Sequence, residues 1–432
     1  MKAAAWISCV GLAAACAAPE NDSCAGPCPQ SNIEHVVVIV QENHTFDDHF
    51  GRYCTAPPGS SPTCNDGPAC CEAAPTTDPT GAPLGDLDDD ACATYGPDNG
   101  STCESAEMDG GKMDAYAAGV ANCSDPRNLV LADPAIIQPY WDLAAQGALA
   151  DRYFQPVVGA SSANDLYMAR AQFVFDDDDY GPQGAVGVAC TLGASQQKQF
   201  AGTTIGDLLS AADVPWKYYA GGYDAQVAAT AQGTCAPKPD DCTGGLAFYP
   251  CTFDPSDVPF EYYASTRDDP AHIGDDTELV SDLQNGSLPA VAFVRAVGWK
   301  SEHPGQLTKL SLGVAYVASL IDAIENSPYR DSTLVLLTYD ESGGYWDHVA
   351  PPPPSAVDGK SYGPRIPMLA VGPFAKKNYV SHVVMEHSSI VKLIEWNFLG
   401  GVTGQLAGRD AVVANMGSLL DPAKTGVAVP ED

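Results

Sequence analysis

The chain has 432 residues, 45% of them hydrophobic, and a formal net charge of −34 from 21 Lys+Arg against 55 Asp+Glu. That apolar share supports a buried core and excludes global disorder. The charge excludes a nucleic-acid binder and a protein that docks on anionic lipid through a polybasic patch.

Residues 1–18 (MKAAAWISCVGLAAACAA) place one Lys before a short apolar run and small residues, the pattern of a secretory signal. The run is too short to cross a membrane as a helix, and no later stretch is long and apolar enough. Leu12 to Cys16 resembles a bacterial lipoprotein cleavage box with its bulky residue one place early. Lipidation of Cys16 and plain secretion are both open, so the expected location is secreted, periplasmic or outer-surface lipoprotein. The 15 cysteines fit an oxidising compartment. They crowd the first third, with a later group at Cys235, Cys242 and Cys251, and none has the spacing of a zinc site, so disulfides are expected.

Residues 19–32 read as a linker and 33–432 as a single domain. Residues 35–40 (HVVVIV) are an apolar, β-branched run expected of a buried parallel strand. Residues 54–110, rich in Gly, Pro, Asp, Ser and Cys, read as a stapled insert. A helix is predicted over 136–150. The segment 152–158 then leads into a Gly-Ala-Ser-Ser turn and a helix over 163–172. Residues 205–219 read as helix then strand, and 220–260 as a second Cys-rich insert. Strands are predicted at 289–295, 333–339 and 366–371, and helices at 311–326 and 388–398. This alternation predicts an α/β fold with a mostly parallel sheet sandwiched by helices.

Sites in such sheets form at the carboxyl ends of strands. Three polar clusters fall there: Gln41 to Asp47 after the first strand, Gly159 to Asn164, and Thr338 to Gly344. Glu42 and Asn43 offer oxygen donors, although taken alone this cluster is more often a capped turn with solvated polar groups. A serine at the second cluster lies beside free helix N–H groups, although a Ser cap is common. The adjacent Asp340 and Glu341 at a buried strand end are costly unless paired or metal-bound. His303 follows the strand at 289–295 in Ser-Glu-His-Pro-Gly.

In this order the segments IEHVVVIVQENHTFDDHFG (33–51), GGKMDAY (110–116), GASSANDLYMARA (159–171), LPAVAFVRAVGWKSEHPG (288–305), SPYRDSTLVLLTYDESGGYWDHVAPP (327–352) and EHSSIVKLIEWNFL (386–399) resemble a known family. It is the bacterial and fungal phosphoesterase family of non-toxin-type phospholipases C and a class of acid phosphatases, within the alkaline-phosphatase-like superfamily. The resemblance implies one divalent metal ion and a serine or threonine nucleophile. Carried over, Glu42, Asn43, Asp340 and Glu341 hold the metal, Ser161 is the nucleophile with Ser162 as the fallback, and His303 contacts the transferring phosphoryl group. Oxygen ligands favour Ca, Mg or Mn over Zn by hardness, and the identity stays open among the four.

The chain also departs from the family pattern. Ala160 and Ala163 replace prolines of the nucleophile motif, Asp165 stands where the family often has a basic residue, and residues 91–109 lack the usual His. His272 is the nearest candidate to supply that imidazole. The expected function is a secreted metal-dependent phosphoesterase forming a phosphoserine intermediate, most of all acid phosphatase-like. Its partner is a phosphate-ester or phospholipid small molecule, with no nucleic acid, and membrane contact only through a Cys16 anchor or a lipid substrate. The alternatives are a phospholipase C acting on phosphocholine-type phosphodiesters and a non-catalytic Cys-rich surface binding protein. The acidic runs Asp88 to Asp90 and Asp176 to Asp179 lack calcium-loop spacing and read as solvated loops.

Overall fold

The computed structural model describes residues 27–175, 180–243 and 248–432. The signal, Cys16, most of the linker and the run Asp176 to Asp179 lie outside these. An eight-stranded sheet forms the centre. Its strands are β1 (His35–Gln41), β2 (Ala148–Ala150), β3 (Trp216–Ala220), β4 (Ile273–Asp275), β5 (Val291–Arg295), β6 (Thr333–Tyr339), β7 (Met368–Val371) and β8 (Tyr379–Ser381), in the order β8-β2-β7-β6-β1-β5-β3-β4. Every pairing is parallel except those of β7, which runs antiparallel to both β6 and β2. The α/β fold with a mostly parallel sheet is as expected.

The helices that flank the sheet are α1 (Phe46–Phe50), α2 (Pro134–Gln146), α3 (Ser161–Arg170), α4 (Ile205–Ala211), α5 (Asp276–Asn285), α6 (Leu310–Glu325) and α7 (His387–Phe398). Val36 to Val40 are all fully buried, so both faces of β1 are covered. A strand buried on both faces reads as a continuous apolar run rather than an alternating one, which is why HVVVIV stood out. Burying each Val or Ile contributes on the order of 1.5–3 kcal/mol. On α6 the buried residues Leu310, Val314, Val317, Leu320, Ile321 and Ile324 recur at three and four, and this stripe packs toward α2 and α5. The second helix group, α3, α4 and α7, packs together.

Of the predicted boundaries that move, two bear on the path of the chain. The helix expected over 163–172 begins at Ser161, which places both serines inside its first turn. The helix expected over 136–150 ends at Gln146, because Gly147 turns the chain into β2. A Cβ on Gly147 would meet the Ala370 carbonyl oxygen at 2.3 Å, so only glycine allows this approach. Disulfides staple the inserts: Cys54–Cys71, Cys64–Cys70, Cys103–Cys123, Cys190–Cys235 and Cys242–Cys251. Among the described residues Cys92 is the free cysteine, and it is buried. No described helix is long and apolar enough to cross a membrane.

Candidate active site

Strand register sets the site. β1 and β6 pair in parallel from His35 opposite Thr333 to Gln41 opposite Tyr339, so Glu42 and Asp340 leave neighbouring strands at the same height. The Asn43 N–H donates to Asp340 Oδ1 at 3.1 Å, which ties the two exits together. Asn43 holds a left-handed φ of 71°, and Gly343 approaches it so closely that a Cβ there would meet the Asn43 carbonyl oxygen at 2.3 Å. The Gly-Gly pair after Asp340-Glu341 is therefore a packing requirement of this turn.

Ser161 enters from α3. Its Oγ lies 3.5 Å from Asn43 Oδ1, and it stands near enough to Asp340 to favour that group's carboxylate form. Ala160 at the helix cap offers no side-chain acceptor, so the first-turn N–H groups are left for water or an anionic oxygen. Asn164 folds back to brace the turn, donating to the Gly159 carbonyl at 2.7 Å and accepting from the Val157 N–H at 3.0 Å. Ser162 is buried beside Tyr262. Of the two serines, Ser161 is the one that meets Asn43 and Asp340.

Arg295, the last residue of β5, sits opposite Val40 and fills the floor. Its Nη2 donates to Glu42 Oε1 at 2.8 Å and Asp340 Oδ2 at 3.1 Å, and its Nη1 forks both Asp165 oxygens at 3.1 Å. Asp257 adds a fourth carboxylate at 3.7 Å. Asp165, a departure from the family pattern, is thus the partner on α3 of an arginine delivered by β5. Four carboxylates face one guanidinium. Burial pushes Asp165, Asp257 and Asp340 upward against the pull of Arg295. Burial also opposes ionisation of Glu42, yet Arg295, His303 and the Tyr249 hydroxyl outweigh it and hold that carboxyl below its usual range.

Glu341 turns aside from this cluster. Its Oε1 accepts from Asn99 Nδ2 at 2.7 Å and its Oε2 from the Gly343 N–H at 2.6 Å. Neither bond carries a positive charge, and burial followed by repulsion from Asp340 raises its pKa well above the ordinary value. The donors therefore fit a divalent cation in kind and in charge: oxygen ligands with a surplus of buried negative charge. The group of three His, Cys, Asp or Glu side chains whose ligand atoms converge within 4.8 Å lies elsewhere among the described residues, at Asp47, Asp347 and His348. Arg365 already occupies that trio, donating to Asp47 at 3.0 Å and Asp347 at 2.9 Å.

His303 lines the same cavity, of about 270 Å³, as Ser161, Glu42, Asn99, Tyr249, Asp254 and Asp257. Its Nδ1 lies 2.8 Å from the Pro304 carbonyl oxygen. The preceding Glu302 takes a left-handed φ of 75°, a costly state for a non-glycine residue. Its buried carboxylate holds that turn by accepting from Tyr140 and Gln41 on one oxygen and from Tyr339 and His49 on the other. His387 at the head of α7, lowered to about 4 by burial, is neutral; its Nε2 donates to the Asp340 carbonyl at 2.8 Å and its Nδ1 accepts from Tyr153.

His272 is not part of this cavity. It stacks on Trp216 with ring centroids 4.3 Å apart and bonds the Trp216 carbonyl and Ser210. Asn99, from the segment that lacks a His, lies in the cavity instead. Asn99, Tyr249, Asp254 and Asp257 come from the two inserts, where no periodicity marks them. Arg295 did carry a signal, a lone cation at the end of an apolar strand.

The chain belongs to the Phosphoesterase family, hydrolases of phosphoester bonds, whose family model matches residues 33–399. Among relatives, phospholipase C B of Mycobacterium tuberculosis is 26% identical over 450 residues, covering 92% of this chain and 80% of that protein. Hemolytic phospholipase C of Pseudomonas aeruginosa is 29% identical over 313 residues, covering 65% of this chain and 41% of that protein. A solved structure of a protein in the alkaline phosphatase superfamily from Vibrio parahaemolyticus covers 89% of this chain and 71% of its own at 13% identity, with a TM-score of 0.38.

Proposed function

We propose that this phosphoesterase cleaves phosphodiesters with a small cationic head group, of phosphocholine type, through a phosphoserine on Ser161. The observation that carries the nucleophile is the meeting of Ser161 with Asn43 and Asp340 at the head of α3. Ser161 Oγ attacks phosphorus and the bond to the leaving alkoxide breaks. The Nδ1–H of His303 donates to the Pro304 carbonyl, which leaves Nε2 to take the Ser161 proton during the attack and to return it to the leaving oxygen. Water then cleaves the phosphoserine and regenerates the hydroxyl. The first-turn N–H groups of α3 face the charge that develops on the phosphoryl oxygens.

Glu42, Asn43, Asp340 and Glu341 would hold the divalent ion. Such an ion supplies Lewis-acid polarisation of a phosphoryl oxygen and lowers the pKa of a nearby hydroxyl. The wall of Asp254 and Asp257 beside the Tyr249 ring supports a cationic head group, which carboxylates and an aromatic face attract. The same wall repels a dianionic monoester. The phospholipase C reading therefore leads, and the acid-phosphatase reading expected from the sequence stands second.

The test is turnover of p-nitrophenylphosphocholine and p-nitrophenyl phosphate by the intact protein, Ser161→Ala and Ser162→Ala. The choline ester is expected to be the better substrate, and Ser161→Ala to lose at least about a thousandfold in kcat. Retained activity in Ser161→Ala rejects the nucleophile. A better monoester substrate rejects the head-group assignment.

A further inference from the structure

The first Cys-rich insert reaches into the site from behind. Its helix Ser101–Glu107 carries Glu104, whose side chain is fully buried. Glu104 Oε2 accepts from the Gly159 N–H at 2.7 Å and from Gln155 Nε2 at 3.0 Å, and its Oε1 accepts from Ser342 Oγ at 2.8 Å. Gly159 lies two residues before Ser161, and Ser342 two residues after Asp340. One carboxylate thus spans the nucleophile turn and the strand exit that carries Asp340. Gln155 closes a second link between them, accepting from the Ser342 N–H at 3.1 Å and donating to the Gly159 carbonyl at 2.9 Å.

Gly159 holds a φ of 130°, open only to glycine, so local propensity alone does not fix this peptide. Its N–H is buried with Glu104 as its acceptor, and an orphaned buried N–H gives the peptide reason to rotate. Rotation there moves Ser161. Cys103, next to Glu104, is bonded to Cys123, which anchors the helix against the loop that follows. From the same insert Asn99 donates to Glu341, so the insert touches both carboxylate-bearing and nucleophile-bearing loops.

We infer that Glu104 is a positioning residue, setting the spacing between Ser161 and Asp340, and that the Cys103–Cys123 disulfide holds it in place. This rests on Ser161 as the nucleophile. Glu104→Ala is expected to lower kcat about a hundredfold while KM stays within about threefold, because a misplacement near 1 Å costs that much. Glu104→Gln is expected to stay within about fivefold of the parent. Its amide oxygen can take both the Gly159 and Gln155 donors, and its amide nitrogen can donate to the Ser342 hydroxyl.

The assay is steady-state hydrolysis of p-nitrophenylphosphocholine by the full chain, with near-UV circular dichroism to establish folding. A folded Glu104→Ala with parental kcat overturns the inference, as do equal losses in Ala and Gln. The paired variant Cys103→Ser with Cys123→Ser serves independently, and still decides if Glu104→Ala does not fold. It is expected to lose at least about tenfold in kcat at unchanged KM, and unchanged kcat overturns the role of the disulfide. Ser161→Ala run in parallel separates the failures: activity in that variant rejects the nucleophile itself, whereas its loss beside an active Glu104→Ala rejects the positioning role alone.

Discussion

Arg295→Met asks whether the floor of the site carries surplus negative charge. The substitution keeps an unbranched apolar stem and removes the guanidinium. Five donor contacts vanish: two to Glu42, two to Asp165 and one to Asp340, at 2.8–3.1 Å. All three carboxylates are at most 1% exposed. Removing one partner of a buried pair costs about 3–5 kcal/mol, because the remaining charge is left uncompensated. Here three carboxylates lose the same partner, so a loss at the upper end, about 5 kcal/mol, is expected. Urea unfolding at pH 7 in the presence of a chelator measures it through the change in midpoint at constant slope. Calcium or magnesium fixed at about a hundred times the parent's Kd should return about 2.7 kcal/mol to the parent, and more to the variant through its tighter binding. A second change, Asp165→Leu, should recover part of the loss. A loss under about 1 kcal/mol, with no response to the ion, would refute the reasoning: the carboxylates would then hold protons and need no cation.

Four further outcomes are expected. Asp340→Asn should lose bound divalent metal by elemental analysis, and unchanged content removes Asp340 from the ligand set. Glu302→Ala removes an acceptor from four buried donors, but Gln41 keeps the Lys300 carbonyl and Tyr339 and His49 keep each other, so the orphaned Tyr140 hydroxyl sets an expected cost of about 1–3 kcal/mol; Glu302→Gln should cost clearly less, because tyrosine hydroxyls can turn to accept, and equal losses in urea melts reject the anchor. Glu107 is raised to about 8 by burial, with Asn128 opposing. Its native carboxyl keeps a proton that the unfolded chain releases above its ordinary 4.5, so stability falls as pH rises from about 4.5 to 8. Glu107→Gln, which mimics the protonated acid, should flatten that slope in urea melts, and an unchanged slope assigns it to other groups. Raising salt should increase kcat/KM for p-nitrophenyl phosphate more than for the choline ester, because screening weakens the repulsion of a dianion by the −34 chain; equal responses discard the charge argument.

Five strands of the sheet, β1, β3, β5, β6 and β7, were legible as apolar runs, whereas β2, β4 and β8 have three residues each, too few to register a pattern, and β2 was read as the end of a helix. The strand ends carrying Glu42 and Asp340 were marked, but the pairing of β1 with β6 and its register were not, because residues some 300 apart carry no sign of which strand lies beside which. β7 was seen as a strand but not as antiparallel, since four buried residues carry no mark of direction. Glu42, Asn43, Ser161 and His303 were found through motif order at those strand ends, where local sequence and local structure coincide. Arg295 was passed over as part of a strand, although a guanidinium ending an apolar run must find carboxylates. Asn99, Glu104, Tyr249, Asp254 and Asp257 reach the site from the disulfide-stapled inserts. Their placement depends on cross-links and long-range hydrogen bonds, and no hydrophobic period records those.

The central place of β1 also bears on the order in which the chain can fold. Its two neighbours are β5 and β6, which begin at Val291 and Thr333. At about 5–20 residues per second of synthesis, HVVVIV waits on the order of ten seconds to a minute before a partner strand exists. Throughout that interval a six-residue, β-branched, uncharged run has no native edge to join, which is the composition most prone to pairing with other chains. Until the last third has emerged, this exposed run is the segment of the chain where misassembly carries the greatest risk. Non-local pairing of this kind also slows the final step, because loop closure across some 250 residues precedes any reward from the sheet.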